Sequence, residues 1–202
     1  RSGCAAAMRY PDSEVAYLFE VIVHPDYRRR GIARMLVKQL QWRMADCPTL
    51  RLHATPEGKT VYTQLGFHDY RQLGRYRCLA WRPEARPEMP GLQPMTPNDL
   101  TGVIDFDRRN FGLTRRELLM NLYCRCPDGA FTIRREGRLA GFVLIRGNEG
   151  DQRTIGPLEA ETQQDGVALL AAAGANTGTT ELRLTVDLFD HNPAPADFLV
   201  HH

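Results

Sequence analysis

Apolar residues run almost unbroken from Val15 to Val23 and stop at His24-Pro25. That run reads as a strand, and after Gly31 the spacing changes to a helical one. Leu50 to Thr55 alternates like a half-buried strand until Pro56-Glu57-Gly58 breaks it. Lys59 to Leu65 then predicts a short helix with Val61 and Leu65 on one side. Gly66 suits the position just past a helix end, and Phe67 is expected to begin another strand.

Trp81 to Gly91 is proline-rich and polar and reads as a linker. Beyond it, Leu92 to Met95 predicts a strand, and Thr96-Pro97-Asn98-Asp99 a helix start with Thr96 as its cap. A second helix is expected over Thr114 to Cys124. Ala130 to Arg134 and Leu139 to Arg146 predict a hairpin turning at Glu136-Gly137. A strand near Thr154 to Leu158 and a helix from Gly166 to Ala173 follow. In the final strand, Glu181 to Leu188, the residues Leu182, Leu184 and Val186 alternate toward a core.

The pattern gives a mixed α/β chain with units at 1–81 and 92–202 joined by residues 82–91. With 202 residues there is room for one or two domains. A hydrophobic fraction of 43% and a charged fraction of 25% fit a soluble globular protein, and no apolar run reaches the roughly 20 residues of a membrane span. No secretory leader is recognisable. The five cysteines are scattered without a C-x-x-C pair, which argues against a disulfide framework or zinc ribbon and favours a cytoplasmic location. Nothing has metal-ligand spacing, so no metal is expected. Net charge is +2, but residues 1–90 hold 15 Lys and Arg against 9 Asp and Glu, while residues 91–202 hold 11 against 15. The basic half is the one suited to a polyanion.

Its candidate grip is Arg28-Arg29-Arg30-Gly31-Ile32-Ala33, with Arg34 behind. A strand, a basic glycine turn and a helix N-terminus together offer unpaired N–H groups, partial positive charge and cations to a phosphate. Three adjacent arginines also fit a solvated turn or a nucleic-acid patch. The wider segment V-I-V-H-P-D-Y-R-R-R-G-I-A-R-M-L resembles the acetyl-CoA-binding segment of the GNAT superfamily of N-acetyltransferases. Arg28, Gly31 and Ala33 fill the fixed positions of its Q/R-x-x-G-x-G/A pattern. A-T-P-E-G-K-T-V-Y-T-Q-L-G-F resembles a later segment of the same family, with Tyr62 at the place of a tyrosine near the cofactor sulfur. Asp107-x-x-x-Phe111-Gly112 with Arg115 and Arg116, and Ile155-Gly156-Pro157-Leu158, resemble the second domain of tandem members.

The resemblance implies two GNAT-like units, each a mostly antiparallel twisted sheet flanked by helices. The first would lack a leading strand and two helices, and the second would stop inside its last helix at His201-His202, as in a piece of a longer protein. It implies an acetyl-CoA-dependent N-acetyltransferase in which a primary amine of a small molecule or peptide attacks directly. Val21, Ile22 and Val23 would hold the pantetheine arm, a backbone N–H there would polarise the carbonyl, and Tyr62 would be the general acid. The alternative for Tyr62 is packing on Val61 and Leu65, with the A-T-P-E-G context favouring catalysis or cofactor contact. Glu20 is the candidate base, with Tyr17 and His24 as alternatives; His53 stands where the family often has an acidic residue before A-T-P. Gln163-Gln164-Asp165-Gly166-Val167-Ala168 also satisfies the cofactor pattern, but Glu159, Glu161 and Asp165 make it acidic, and no Lys or Arg is expected nearby. A structural or substrate-cleft role is expected there. The acceptor is expected between the motif strand and an opposite wall that the second unit could line. A non-catalytic acyl-CoA sensor is the rival reading. Neither nucleic acid nor membrane is an expected partner, and the chain would be a monomer or homodimer.

Overall fold

A computed structural model describes residues 2–10, 14–82, 87–175 and 182–189. Residues 83–86 of the expected linker, Glu181 and the C-terminal segment ending in His201-His202 lie outside the described residues. The chain divides into two compact units, with the division between Tyr70 and Arg71.

In the first unit, β1 (Gly3–Arg9) runs antiparallel to β2 (Val15–Val23). The helix α1 (Ile32–Arg43) crosses to β3 (Thr49–Leu52), which pairs parallel to the first half of β2. Ala16, Leu18 and Val37 are buried where α1 packs on the sheet. A second helix, α2 (Pro56–Thr63), starts three residues earlier than its apolar spacing predicts. The reason is Thr55, whose hydroxyl accepts from the Gly58 N–H at 3.2 Å and caps the helix.

Phe67 does not begin a strand. Its N–H donates to the Tyr62 carbonyl at 3.1 Å, and its ring packs edge-on against Tyr62. The next strand, β4 (Leu73–Trp81), begins six residues later. It lies in the second unit, where the 1–81 boundary had placed it in the first.

The second unit is a six-stranded sheet. Its later elements are β5 (Leu92–Pro94), α3 (Leu100–Phe111), α4 (Arg116–Arg125), β6 (Phe131–Arg135), β7 (Arg138–Glu149), β8 (Gln152–Ala160), α5 (Gln163–Ala175) and β9 (Leu182–Phe189). The strand order is β4-β9-β8-β7-β6-β5, antiparallel except for β8 and β9. Residues on β7 alternate between two cores. Phe142 and Leu144 pack with Val103, Ile104 and Phe106 of α3 and Leu119 and Leu122 of α4. Val143 joins Ile155, Leu169, Leu170 and Leu184 on the α5 side. Leu182, Leu184 and Val186 are buried as their alternation predicts.

Burial on both faces leaves little room for unpaired charge, and Asp107 and Arg115 meet that requirement together. The Arg115 guanidinium grips the Asp107 carboxylate through two nitrogens and lies 3.4 Å from the Phe111 ring centroid. Burial pushes the Asp107 carboxyl above the ordinary carboxylate range, and Arg115 offsets only part of that rise. The segment singled out in the sequence is therefore a buried brace. All five cysteines are free thiols. Among the described residues, no helix is long and apolar enough to cross a membrane.

Candidate active site

The site begins with an irregularity in β2. Its ladder with β1 pairs Phe19 with Ala6 and Ile22 with Cys4, so Glu20 and Val21 stand opposite the single residue Ala5. That is a β-bulge. Glu20 takes a left-handed φ of 53°, uncommon for a residue with a Cβ, and its side chain is exposed. On the other edge, pairing with β3 ends at Leu18. Val21 in the bulge and Ile22 and Val23 paired with β1 are therefore free of β3, leaving main-chain groups other than the Val23 carbonyl for an extended ligand to pair with.

The chain then turns into α1. Gly31 is the helix cap with φ 77°, no side chain closes the helix start, and nothing lies within 4 Å of where a Cβ would stand. The first intrahelical bond there runs from the Met35 N–H to the Gly31 carbonyl at 3.0 Å. The N–H groups of Ile32, Ala33 and Arg34 precede that bond, and in a helix start such groups point outward toward any anion. Arg28 does not reach outward with its Nε, which donates to the Val23 carbonyl at 3.2 Å and ties the turn to the strand. Arg29 sits at φ 59°, Arg30 lies over the Tyr27 ring, and Arg34 and Lys38 flank a groove with Gly31, Met35 and Gln39. Sequence reading missed Lys38 and Tyr27. The helical spacing Gly31, Arg34, Lys38 was the available signal for the first.

Tyr62 is half-buried on α2, and burial raises its pKa above the ordinary 10.0. A Cβ on Gly58 would stand 3.1 Å from its ring, so the glycine makes room for it. The Gln41 side chain donates to the Leu65 carbonyl at 3.0 Å and holds the segment after α2 to α1. Of the alternative bases, Tyr17 makes edge contacts with Tyr10 and His53. His24 uses its Nδ1 to accept from the Asp26 N–H at 3.4 Å. Both have local structural work, and Glu20 alone of the three stands on the bulge. No group of three or more His, Cys, Asp or Glu among the described residues is arranged to hold a metal.

Two family models, each described as an acetyltransferase (GNAT) domain, match residues 1–69 and residues 103–202. The chain belongs to the GNAT acetyltransferases. It is a tandem member, carrying two such domains. It is 27% identical over 124 residues to the uncharacterized N-acetyltransferase YitH of Bacillus subtilis, covering 61% of this chain and 44% of that protein. It is also 27% identical over 184 residues to holothin acyltransferase of a Pseudoalteromonas strain, covering 90% of this chain and 60% of that one. The chain thus spans less than two thirds of either relative. A GCN5-related N-acetyltransferase structure from Sphaerobacter thermophilus shares the fold at TM-score 0.58 and 18% identity, over 95% of this chain and 70% of that one.

The two GNAT domains part at the two segments that satisfy the Q/R-x-x-G-x-G/A pattern. The second has an equivalent bulge: Ile155 pairs with Ile145 and Leu158 with Val143, so Gly156 and Pro157 oppose Leu144 alone. Pro157 has no N–H to offer there. Gln163 to Ala168 does not form a loop at all, because α5 already starts at Gln163. Thr162 closes that start, its hydroxyl accepting from the Asp165 N–H at 3.2 Å and its carbonyl from the Gly166 N–H at 3.1 Å. The Asp165 side chain is itself buried at this acidic helix start. The expectation that no cation neighbours this segment is corrected: Arg135 pairs with Asp165, and Arg138 with Glu161. Both arrive from the β6–β7 hairpin, remote in sequence and adjacent only in the fold.

Proposed function

We propose that the first unit binds acetyl-CoA and that the protein transfers acetyl to a primary amine of a small molecule or peptide. The observation that carries this reading is continuity: a bulged strand whose second half is free of β3 leads through one short turn, carrying Arg28, Arg29 and Arg30, into a helix start with no side-chain cap and with Arg34 in its first turn. The residues fit the ligand, since Gly31 leaves open space for a phosphate and Val21 to Val23 offer main-chain groups to an amide-bearing arm. Acetyl-CoA, when bound, supplies the acetyl group as a reactive thioester.

The chain's own residues supply the rest. Val21 lies in the bulge, where a main-chain N–H withdrawn from the ladder is a donor for a developing negative oxygen. Glu20 Oε atoms accept a proton from an ammonium, directly or through water, and solvent exposure lets the carboxylate pass it on. Tyr62 Oη keeps its proton through neutral pH because burial disfavours the phenolate, so it remains a proton donor. Direct attack needs no nucleophilic side chain. In the second unit, the capped and acidic α5 start supports a structural role for that domain.

Calorimetric titration of acetyl-CoA into wild type and Arg28→Glu/Arg30→Glu tests the assignment. Wild type is expected to bind at micromolar strength and the double variant to lose binding by more than about 100-fold, since two attractions become repulsions. Equal binding by both proteins would remove the turn from the site.

A further inference from the structure

Four arginines lie at or before the helix start, and among the described residues Arg30 alone of the four lies over an aromatic ring. His24, Tyr27 and Arg30 form a stack along the turn. The His24 ring meets Tyr27 edge-on with centroids 5.9 Å apart, and the Arg30 guanidinium carbon lies 5.4 Å from the Tyr27 centroid. Pro25 and the His24 Nδ1 cap on Asp26 fix the short 3-10 turn, Pro25 to Tyr27, that presents the ring. No carboxylate pairs with Arg30 among the described residues. The contrast is with Arg135 and Arg138 at the start of α5, each neutralised by an acid. A ring face orients a guanidinium without cancelling its charge, whereas a carboxylate does both.

We propose that Tyr27 is a positioning residue for cofactor binding: its ring, buttressed by His24, holds Arg30 in place as an undiminished cation for the polyphosphate of CoA. An arginine already restrained loses less side-chain freedom when it meets its ligand. This rests on the acetyl-CoA reading and adds a residue to it that contacts no ligand itself.

The test is a double-mutant cycle read by calorimetric titration with CoA, at one ionic strength, on wild type, Tyr27→Phe, Tyr27→Leu, Arg30→Gln and Tyr27→Leu/Arg30→Gln. Tyr27→Leu is expected to weaken binding about two- to five-fold, the range of an exposed cation–π contact, and Arg30→Gln by at least as much, because it also removes the charge. Tyr27→Phe keeps the ring and is expected to bind within about two-fold of wild type. In the Arg30→Gln background, Tyr27→Leu is expected to cost nothing further, because the interaction it served is gone. An equal loss in both backgrounds, or a Tyr27→Phe as weak as Tyr27→Leu, would reduce Tyr27 to a packing role and overturn the proposal. Wild-type binding with no effect of Tyr27→Leu overturns this proposal alone; failure of wild type to bind CoA overturns the cofactor reading as well.

Discussion

Tyr62 shows how much a single position can carry. Half-burial beside Phe67 shifts its phenol away from ionisation, so the proton is present throughout the range where the protein works. Tyr62→Phe should lower kcat by about 100-fold, the lower end of general acid catalysis, with little change in the KM for acetyl-CoA. In a pH–rate profile of wild type, the loss belonging to Tyr62 should fall above pH 10, because the folded pKa is raised; a loss below that belongs to another group. Tight acetyl-CoA binding with an unchanged kcat in Tyr62→Phe would remove the general-acid role and leave the packing one. Glu20 could not have been read the same way. Its residue type made it a candidate base, but its left-handed backbone at the bulge left no mark in a run of apolar neighbours.

Among the elements, the helix starts divide the two domains. Gly31 leaves α1 without a side-chain cap, while the Thr162 hydroxyl closes α5. The same six-residue pattern matches both segments, and the difference arises from where the helix begins, which depends on the cap. A third start, Thr96-Pro97-Asn98-Asp99, was fully legible because its capping box is local. The Asp99 carboxylate accepts from the Thr96 N–H at 2.8 Å, the Thr96 hydroxyl at 2.7 Å and Arg134 at 2.6 Å. Burial pushes Asp99 up, but these donors together outweigh it and hold the carboxyl below its usual range. Its contribution to stability is therefore present above the unfolded pKa and is lost as pH falls through the lower folded value. Thr96→Ala should cost about 1 kcal/mol at neutral pH, and the difference from wild type should shrink below about pH 4. Urea unfolding at pH 7 and pH 3 checks both figures; a cost independent of pH would mean that the hydroxyl acts elsewhere.

For the whole molecule, two domains of one family need not mean two cofactors. The second bulge carries Pro157, and the second helix start is capped and acidic. One CoA per chain is the expected calorimetric stoichiometry, and two would restore the second segment as a site. The placement of β4 is a second whole-molecule fact. Its rungs with β9, from Leu73–Phe189 to Trp81–Leu182, and the bidentate Arg75–Asp187 pair place it in the second sheet. Its strand character is local, whereas its partner lies more than a hundred residues away. Phe67, just before it, shows the converse: its local sequence is that of a strand start, but its ring and N–H are taken by Tyr62 of the preceding helix.

The sequence alone determined β2, β3 and most helices and strands of the second unit, the cap at Thr96, the alternation of β9 and the basic turn before α1. Each is written within a few residues, where hydrophobic period, capping and turn chemistry act. Only the tertiary structure decided the sheet that takes β4, the bulge that exposes Glu20 and Val21, and the pairing of Arg135 and Arg138 with the acids of the second helix start. These depend on register and on partners brought together by packing, and neither distance nor orientation across a sheet is encoded in the spacing of residues along the chain.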